Sequence, residues 1–288
     1  MCIDYDDGNG DRTSEWLAWD DFSHCKDTND IKQVNPNYKD YIIDGKWRKY
    51  LSSLEDGSYL FSECDNLTTF NSDLSSLKNA EGMFYRSRGL TDFNSDLSLL
   101  YSGAHMFREC TNLKTFNSDL GLLTQGVQMF HKCAALTTFN SDLSSLTDGE
   151  YMFEDCSNLI SFTSDLSSLT NGHSMFYQCT ALASFTSELP SMTYGSWMFA
   201  RCNNLASFTS DLSRLFFCRY MFNGCSALTS FSSDLPRLVH GGGMFYGCSK
   251  LKSFFTPSLA GLFEGWHMFN GCTSLTSFSS YLTNVDAG

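Results

Sequence analysis

Cysteine has the widest chemical repertoire of any residue type in this chain, and it occurs twelve times. A thiol can pair as a disulfide, hold zinc or act as a nucleophile, and each use demands its own spacing. Zinc needs ligands gathered within a turn, as in C-x2-C, and no such pair occurs. Instead Cys110, Cys133, Cys156, Cys179, Cys202, Cys225 and Cys248 follow one another every 23 residues. Cys64 and Cys272 extend the series and Ser87 interrupts it. One cysteine per repeat at one phase is the pattern of a buried column, since cysteine is among the most buried residue types. Serine can fill such a slot but cannot replace a disulfide partner. The expectation is free thiols, which leave the redox compartment open.

Carboxylates recur in the same way. Asp73, Asp96, Asp119, Asp142, Asp165, Glu188, Asp211 and Asp234 each precede a leucine in S-D-L or S-E-L. Stacked at the strand spacing of about 4.8 Å, like charges repel by about 1 kcal/mol in water. Either each carboxylate accepts a hydrogen bond from the turn that follows it, or the column, centred on Asp119, Asp142 and Asp165, takes calcium. The glycine-rich signature of calcium-binding coils is missing, which favours the turn. The histidines His24, His105, His131, His173, His240 and His267 share no role, and no serine elbow, zinc-helix motif or phosphate loop occurs. No catalytic residue, metal or cofactor is assigned, and an enzyme is not expected.

Two further sets recur. Hydroxyl and amide residues flank a repeated phenylalanine, as in Thr138-Phe139-Asn140 and Ser161-Phe162-Thr163, and would form an outward ladder open to sugar or ice. The other set varies from copy to copy. Around a repeated Met–Phe pair stand Tyr59, Tyr85, Arg86, His105, Arg108, His131, Tyr151, His173, Tyr177, Trp197, Arg201, Tyr220, Tyr246, Trp266 and His267. Unconstrained exposed positions drift toward Lys, Glu, Thr and Ala. Rings and arginines at these places are the residues of recognition surfaces.

What positions these residues is the repeat itself. Met and Phe pair at Met83–Phe84, Met106–Phe107, Met129–Phe130, Met152–Phe153, Met175–Phe176, Met198–Phe199, Met221–Phe222 and Met244–Phe245, always 23 apart. A degenerate copy starts at Leu60–Phe61, and Met268–Phe269 follows after 24 residues. A period of 20 to 50 residues marks a stacked array, and one of 23 is too short for a helix pair. The spacing predicts one short parallel strand per coil, as at Leu159–Ser164. It predicts a single helical or 3₁₀ turn at Met–Phe, and a glycine turn at Gly172 and its equivalents Gly57, Gly103, Gly126, Gly149, Gly195 and Gly265. Phe254–Leu259 holds one residue more than Phe231–Leu235, so a bulge is expected there.

The unit M-F-x-x-C-x-x-L resembles the bacterial leucine-rich repeats of the BspA or treponemal type, whose core is A-F-x-x-C-x-x-L. It is about as similar to the M-F-x-x-C repeats of mycoplasma-like surface proteins. The likeness covers Trp47 to Leu282, and departs where the family's L-P-x-x-L reads mostly S-D-L-x-x-L. It implies a mainly β, right-handed leucine-rich-repeat solenoid and, for function, surface adhesion or host interaction.

Three segments are expected: an acidic non-repetitive segment or cap over residues 1–44, a solenoid of about ten coils over 45–282, and a tail over 283–288. Low hydrophobicity and net charge favour disorder in residues 1 to about 40, apart from Trp16, Trp19 and Phe22, whose spacing suits a lid. Asp4–Asp11 with Glu15 faintly matches a calcium loop, but Asn9 stands where glycine is required. The chain carries 32 acids against 19 bases, a formal charge of −13, which argues against nucleic acid and anionic membranes. No apolar run is long enough to span a bilayer, and the N-terminus lacks signal-peptide features. The reading is a recognition module for a protein or glycan on a host or neighbouring cell, itself at a cell surface, secreted or on a virion. A spacer arm in a surface or virion assembly, or a ladder-type binder of calcium or ice, are the alternatives.

Overall fold

The computed structural model describes residues 21–281. The calcium-like loop, Trp16, Trp19 and the segment after residue 281 lie outside the described residues. The chain is a β-solenoid whose coils repeat every 23 residues. Helix α1 (Thr28–Val34) and a 3₁₀ turn (Tyr38–Tyr41) precede β1 (Ile42–Ile43) and β2 (Lys46–Trp47), an antiparallel pair. Each coil then adds one strand: β3 (Thr69–Phe70), β4 (Asp92–Phe93), β5 (Thr115–Phe116), β6 (Thr138–Phe139), β7 (Ser161–Phe162), β8 (Ser184–Phe185) and β9 (Ser207–Phe208). Longer strands β10 (Ser230–Ser232), β11 (Ser253–Ser258) and β12 (Ser277–Tyr281) follow. From β2 onward the strands pair parallel and in phase within three sheets, β2–β5, β6–β8 and β9–β12, for example Phe162 opposite Phe185. The extra residue near Phe254 is absorbed as a register shift between Phe255 and Ser258, the bulge expected there.

Three seams of hydrogen bonds join the coils. The first is the strand ladder. The second is a chain of single parallel bridges on another edge, running from Asp27 through Asp56, Asp148 and Asn171 to Glu264. The third runs through the Met–Phe segment, where alternate N–H groups bond forward. Gly149, Tyr151, Phe153 and Asp155 donate to the carbonyls of Asn171, His173, Met175 and Tyr177 at 2.8–3.0 Å. The intervening residues close turns within the coil, Met152 to Gly149, Glu154 to Tyr151 and Cys156 to Phe153. The strand seam donates the other way, Ile160 N–H bonding back to Thr137, and each bridge pairs a backward bond with a forward one, Asn171 N–H to Thr147 O and Gly149 N–H to Asn171 O. Every coil is therefore tied to both neighbours, which suits a linear array in which each repeat contacts only the next.

The interior is filled by columns. Leucine, methionine and cysteine pack around two rows of phenylalanine, nearly all fully buried. Successive Met–Phe rings stack face to face, Phe130 on Phe153 at 5.4 Å and Phe153 on Phe176 at 5.5 Å. Strand rings meet them edge-on, Phe139 on Phe153 at 4.8 Å. Both geometries suit the aromatic quadrupole. The thiols are free and buried. Those of the column from Cys110 to Cys272 each bond to a carbonyl of the preceding coil, as Cys156 Sγ does to Phe130 O at 3.1 Å. Ser87 makes the equivalent bond to Phe61 O at 2.5 Å, which is why serine fits the slot. Burial pushes these thiols far above their ordinary range.

Several local expectations are corrected. The glycines at Gly57, Gly103, Gly126, Gly149 and Gly172 do open turns, as Met152 N–H closes on Gly149 O, but they do not have a positive φ. They are small because the methionine and leucine of neighbouring coils press on them. A Cβ at Gly172 would lie 3.1 Å from Met198 Sδ and 3.3 Å from Met192 Sδ. The hydroxyl ladders also lie at other phases. The serine of S-D-L is buried, with Ser187 Oγ donating to Ser164 O at 2.6 Å and Ser210 Oγ to Ser187 O at 2.7 Å. Residues 21–40 are ordered rather than disordered. Phe22, Cys25, Ile31, Tyr38 and Tyr41 are buried against the first coil, and Phe22 packs on Tyr41 at 5.4 Å and on Trp47 at 6.1 Å. A capping box of Asp27 and Asp30 starts α1. These apolar residues are scattered among acids, so composition alone hides them.

Candidate binding surface beside the Met–Phe turns

The acidic column is occupied by its own backbone. Asp119 Oδ1 accepts from Gly121 N–H at 2.9 Å, Asp142 Oδ1 from Ser144 at 2.8 Å and Asp165 Oδ1 from Ser167 at 2.7 Å. Hydrogen bonds from Ser75 lower the Asp73 carboxyl below its usual range. Among the described residues no group of three or more His, Cys, Asp or Glu side chains is arranged to hold a metal ion.

The variable residues beside Met–Phe sit on an unusual backbone. In nearly every coil the residue before Met and the residue before Cys adopt a positive φ. Tyr151 has φ 55° and Asp155 φ 60°; Trp197 has φ 61° and Arg201 φ 64°. Glycine takes these places at Gly82, Gly224, Gly243, Gly247 and Gly271. The left-handed region costs an L-residue roughly 1 kcal/mol. The turns and forward hydrogen bonds of the third seam fix it there, and the side chains are thrown outward in a set direction. Replacing Gln178, φ 61°, by glycine is expected to raise stability by up to ~1 kcal/mol, whereas valine should cost roughly 2 kcal/mol. Urea melts of the two variants check this, and equal midpoints would remove the strain.

The fifteen residues fall into two groups. On the early coils they form a charged network. Tyr59 Oη donates to Glu81 at 2.9 Å and its ring lies over Gly82. The Arg86 guanidinium covers the Tyr85 ring at 4.9 Å while Nε bonds to Glu109 at 3.0 Å. Arg108 bonds to Gln128 at 2.6 Å. Burial, with Arg108 nearby, lowers the pKa of His105. His131 is buried, with Nδ1 3.1 Å from Glu154. On the later coils the rings touch each other. Tyr151 meets His173 at 5.2 Å. A continuous chain then runs from Tyr177 to Trp197 at 6.2 Å, Tyr220 at 4.4 Å, Trp266 at 5.5 Å and His267 at 5.9 Å. Arg201 sits over Tyr177 at 5.8 Å. Tyr59, Arg201, Tyr246 and His267 are exposed, His131 is buried and the rest are half-buried.

A second aromatic row went unread in the sequence. At the bridge phase, where most coils carry Asp, Asn, Ser or Gln, the later coils carry Tyr194, Phe217 and His240. These stack in parallel at 4.9 and 4.5 Å, with Phe216 edge-on to Phe217 at 4.7 Å. The substitution of rings for small polar residues at one phase was its visible signal. Gly242 and Gly243 leave a gap that Trp266 and Tyr220 cover from either side, and Arg219 reaches across it to Glu264, which also lies 3.0 Å from His240.

A family model described as BspA type leucine rich repeat region matches residues 51–160, 122–229 and 147–276, in six copies. No curated protein matches. Among solved structures, a leucine-rich repeat protein from Bacteroides ovatus is 20% identical with a TM-score of 0.53, covering 80% of this chain and 65% of that one. A leucine rich cell surface protein from Faecalibacterium prausnitzii is 17% identical with a TM-score of 0.31, covering 78% and 82%. A leucine-rich repeat protein from Eubacterium ventriosum is 13% identical with a TM-score of 0.36, covering 79% and 76%. The chain thus spans about two thirds of the length of the Bacteroides protein, whose likeness is one of fold.

Proposed function

Since the chain belongs to the BspA-type leucine-rich repeat family, we propose that it is a non-catalytic recognition module, binding a protein or glycan on a host or neighbouring cell through the rings beside its Met–Phe turns. Proteins of this family are commonly surface adhesion or protein-binding modules, typically non-catalytic. Among the described residues no helix is long and apolar enough to cross a membrane. The observation that carries the reading is the ring chain from Tyr177 to His267. Apart from the exposed His267 these side chains are half-buried, pinned by their neighbours and mounted on a backbone fixed by three seams, so little conformational entropy is lost when a partner docks. A cell-surface setting follows the family.

The test removes rings while respecting the backbone. Tyr151→Asn, Tyr177→Ser and Trp197→Asn are combined, because asparagine tolerates a positive φ. Attachment of the purified protein to glycan arrays and to immobilised surface proteins is then measured. At least a tenfold loss is expected with the circular dichroism spectrum unchanged. Full attachment by the folded triple variant would remove the stripe from recognition and leave a spacer arm.

A further inference from the structure

The flank between the L-x-x-L turn and the Met–Phe turn changes character along the rod. On the first six coils it carries Glu55, Asp56, Glu81, Asp148 and Glu150 among mostly small polar residues, with Lys78 the one base and Tyr101 the one exposed ring before Tyr59 and its Met–Phe equivalents are reached. On the last four it carries the row Tyr194–Phe217–His240, with Tyr194 at 51%, Phe216 at 39% and Phe263 at 58% exposure. Charge changes with it. Residues 193–267 hold six bases against three acids, while the other 213 residues hold thirteen against twenty-nine. The segment is therefore +3 on a remainder of −16. Arg214 and Arg237 are exposed at one phase, Arg214 two residues before Phe216; of the three acids, Glu264 is engaged by Arg219 and His240, while Asp211 and Asp234 precede the two arginines by three residues and Asp211 is held by the Ser213 N–H.

The orientation of the rings narrows the ligand. Tyr194, Phe217 and His240 lie face to face along the rod, with interplanar angles of 10° and 4°. Trp197 and Tyr220 stack at 24°. Within these pairs the facing sides of the rings cover one another. A sugar ring stacks on an open aromatic face, and within these stacks the facing sides are closed to it. The edge of an aromatic ring is the positive end of its quadrupole. It attracts carboxylates, as do the arginines beside it.

We infer that the aromatic flank of the last four coils, centred on Phe216 between Arg214 and Arg237, is a docking surface for an acidic polypeptide segment. This rests on the recognition reading above and narrows it to one end of the rod and one class of partner. Such a segment would lie along the flank with its carboxylates toward Arg214 and Arg237 and its apolar side chains against Phe216 and Phe263. Binding should weaken with salt, because the arginines are exposed.

A random copolymer of glutamate and tyrosine serves as the probe, read by the fluorescence of the chain's tryptophans at low and moderate salt. The full chain is expected to bind it, and Arg214→Gln/Phe216→Gln/Arg237→Gln to weaken binding at least tenfold. Lys114→Gln/Lys132→Gln, which removes comparable charge from exposed residues on earlier coils, should change it less than twofold. No binding of the copolymer would overturn the inference, as would equal weakening by the two variants. Equal affinity for polygalacturonate would show attraction to any polyanion and overturn the polypeptide assignment. A dimer in sedimentation equilibrium that the triple variant abolishes would make a second copy the occupant and overturn it too. If the copolymer fails while the Tyr151, Tyr177 and Trp197 variant still loses attachment to its partner, the recognition reading stands and only this inference falls.

Discussion

Raising the pH from 8 to about 10.5 is expected to unfold the protein, with a steepness set by its thiols. Cys110, Cys133, Cys156, Cys179, Cys202, Cys218, Cys225 and Cys248 are fully buried. Desolvation raises the pKa of each in the folded state. In the unfolded chain a cysteine ionises near ~8.5. Below that value both states hold the proton and the thiols do not affect stability. Above it the unfolded state loses protons that the folded state keeps, so stability falls by roughly 1.4 kcal/mol per pH unit for each thiol. Eight thiols one unit above their ordinary value withdraw roughly 11 kcal/mol, similar to the whole stability of a typical domain. The measurement is the urea midpoint by circular dichroism, taken from pH 7 to 10.5 under a reductant. A variant with Cys133, Cys156, Cys179 and Cys202 replaced by serine should show about half the slope, since serine makes the same carbonyl bond at Ser87. An unchanged slope in that variant, or a native spectrum with undiminished urea resistance at pH 11, would show that the thiols do not govern alkaline stability.

Phe153→Ala should be the most damaging single substitution. Its ring touches four others, Phe130 at 5.4 Å, Phe139 at 4.8 Å, Phe162 at 5.4 Å and Phe176 at 5.5 Å. Truncating a buried phenylalanine costs about 3–5 kcal/mol. The lost ring pairs place this case at the upper end. The damage should also have a direction. Coils are coupled only to neighbours, and Phe153 sits mid-rod, where both ring rows pass. The wild-type array is expected to melt as one unit by calorimetry, and the variant in two steps, one for each side of the break. The same substitution at Phe278, which is 45% exposed at the last described coil, should cost under ~1 kcal/mol. A single calorimetric transition with a small shift for Phe153→Ala would mean that the ring rows do not transmit cooperativity.

Much of this was legible in the chain because a period turns chemistry into position. Cys110 to Cys248 at one interval, with Ser87 in the same slot, predicted a thiol column; Phe139 and Phe153 at two phases predicted core rows. What stayed hidden has specific causes. The positive φ of Tyr151 and Asp155 is a backbone property, carried by residues with no shared side-chain chemistry. Its trace was the glycines at Gly224, Gly243 and Gly247, which fall at those two phases in the later coils. Gly149 and Gly172 stand in turns as expected, but glycine is there for close approach and not for a left-handed backbone, and a one-dimensional pattern does not separate the two. In the candidate surface the sequence marked which residues vary. It did not show that Trp197 and Tyr220 lie face on face, or that His131 is buried. Those depend on which neighbour a side chain leans on, and the leaning direction is set by the left-handed residues. The recurrent serine of S-D-L is buried at Ser141 and Ser187, which its polar type and its place beside an exposed aspartate do not signal.

The strand seam donates toward the preceding coil and the Met–Phe seam toward the following one. Each winding thus presents the same plug and the same socket to whatever adjoins it, and one copy can be exchanged for another without rewiring. The shift between Phe255 and Ser258 shows that even a stray residue is taken up at the strand while the bridges opposite stay in phase through His240 and Glu264. A gene encoding such a rod can gain or lose whole copies by recombination and still specify a folded product. Length is then a freely adjustable ruler, and reach toward a distant target can evolve independently of the face that grips it.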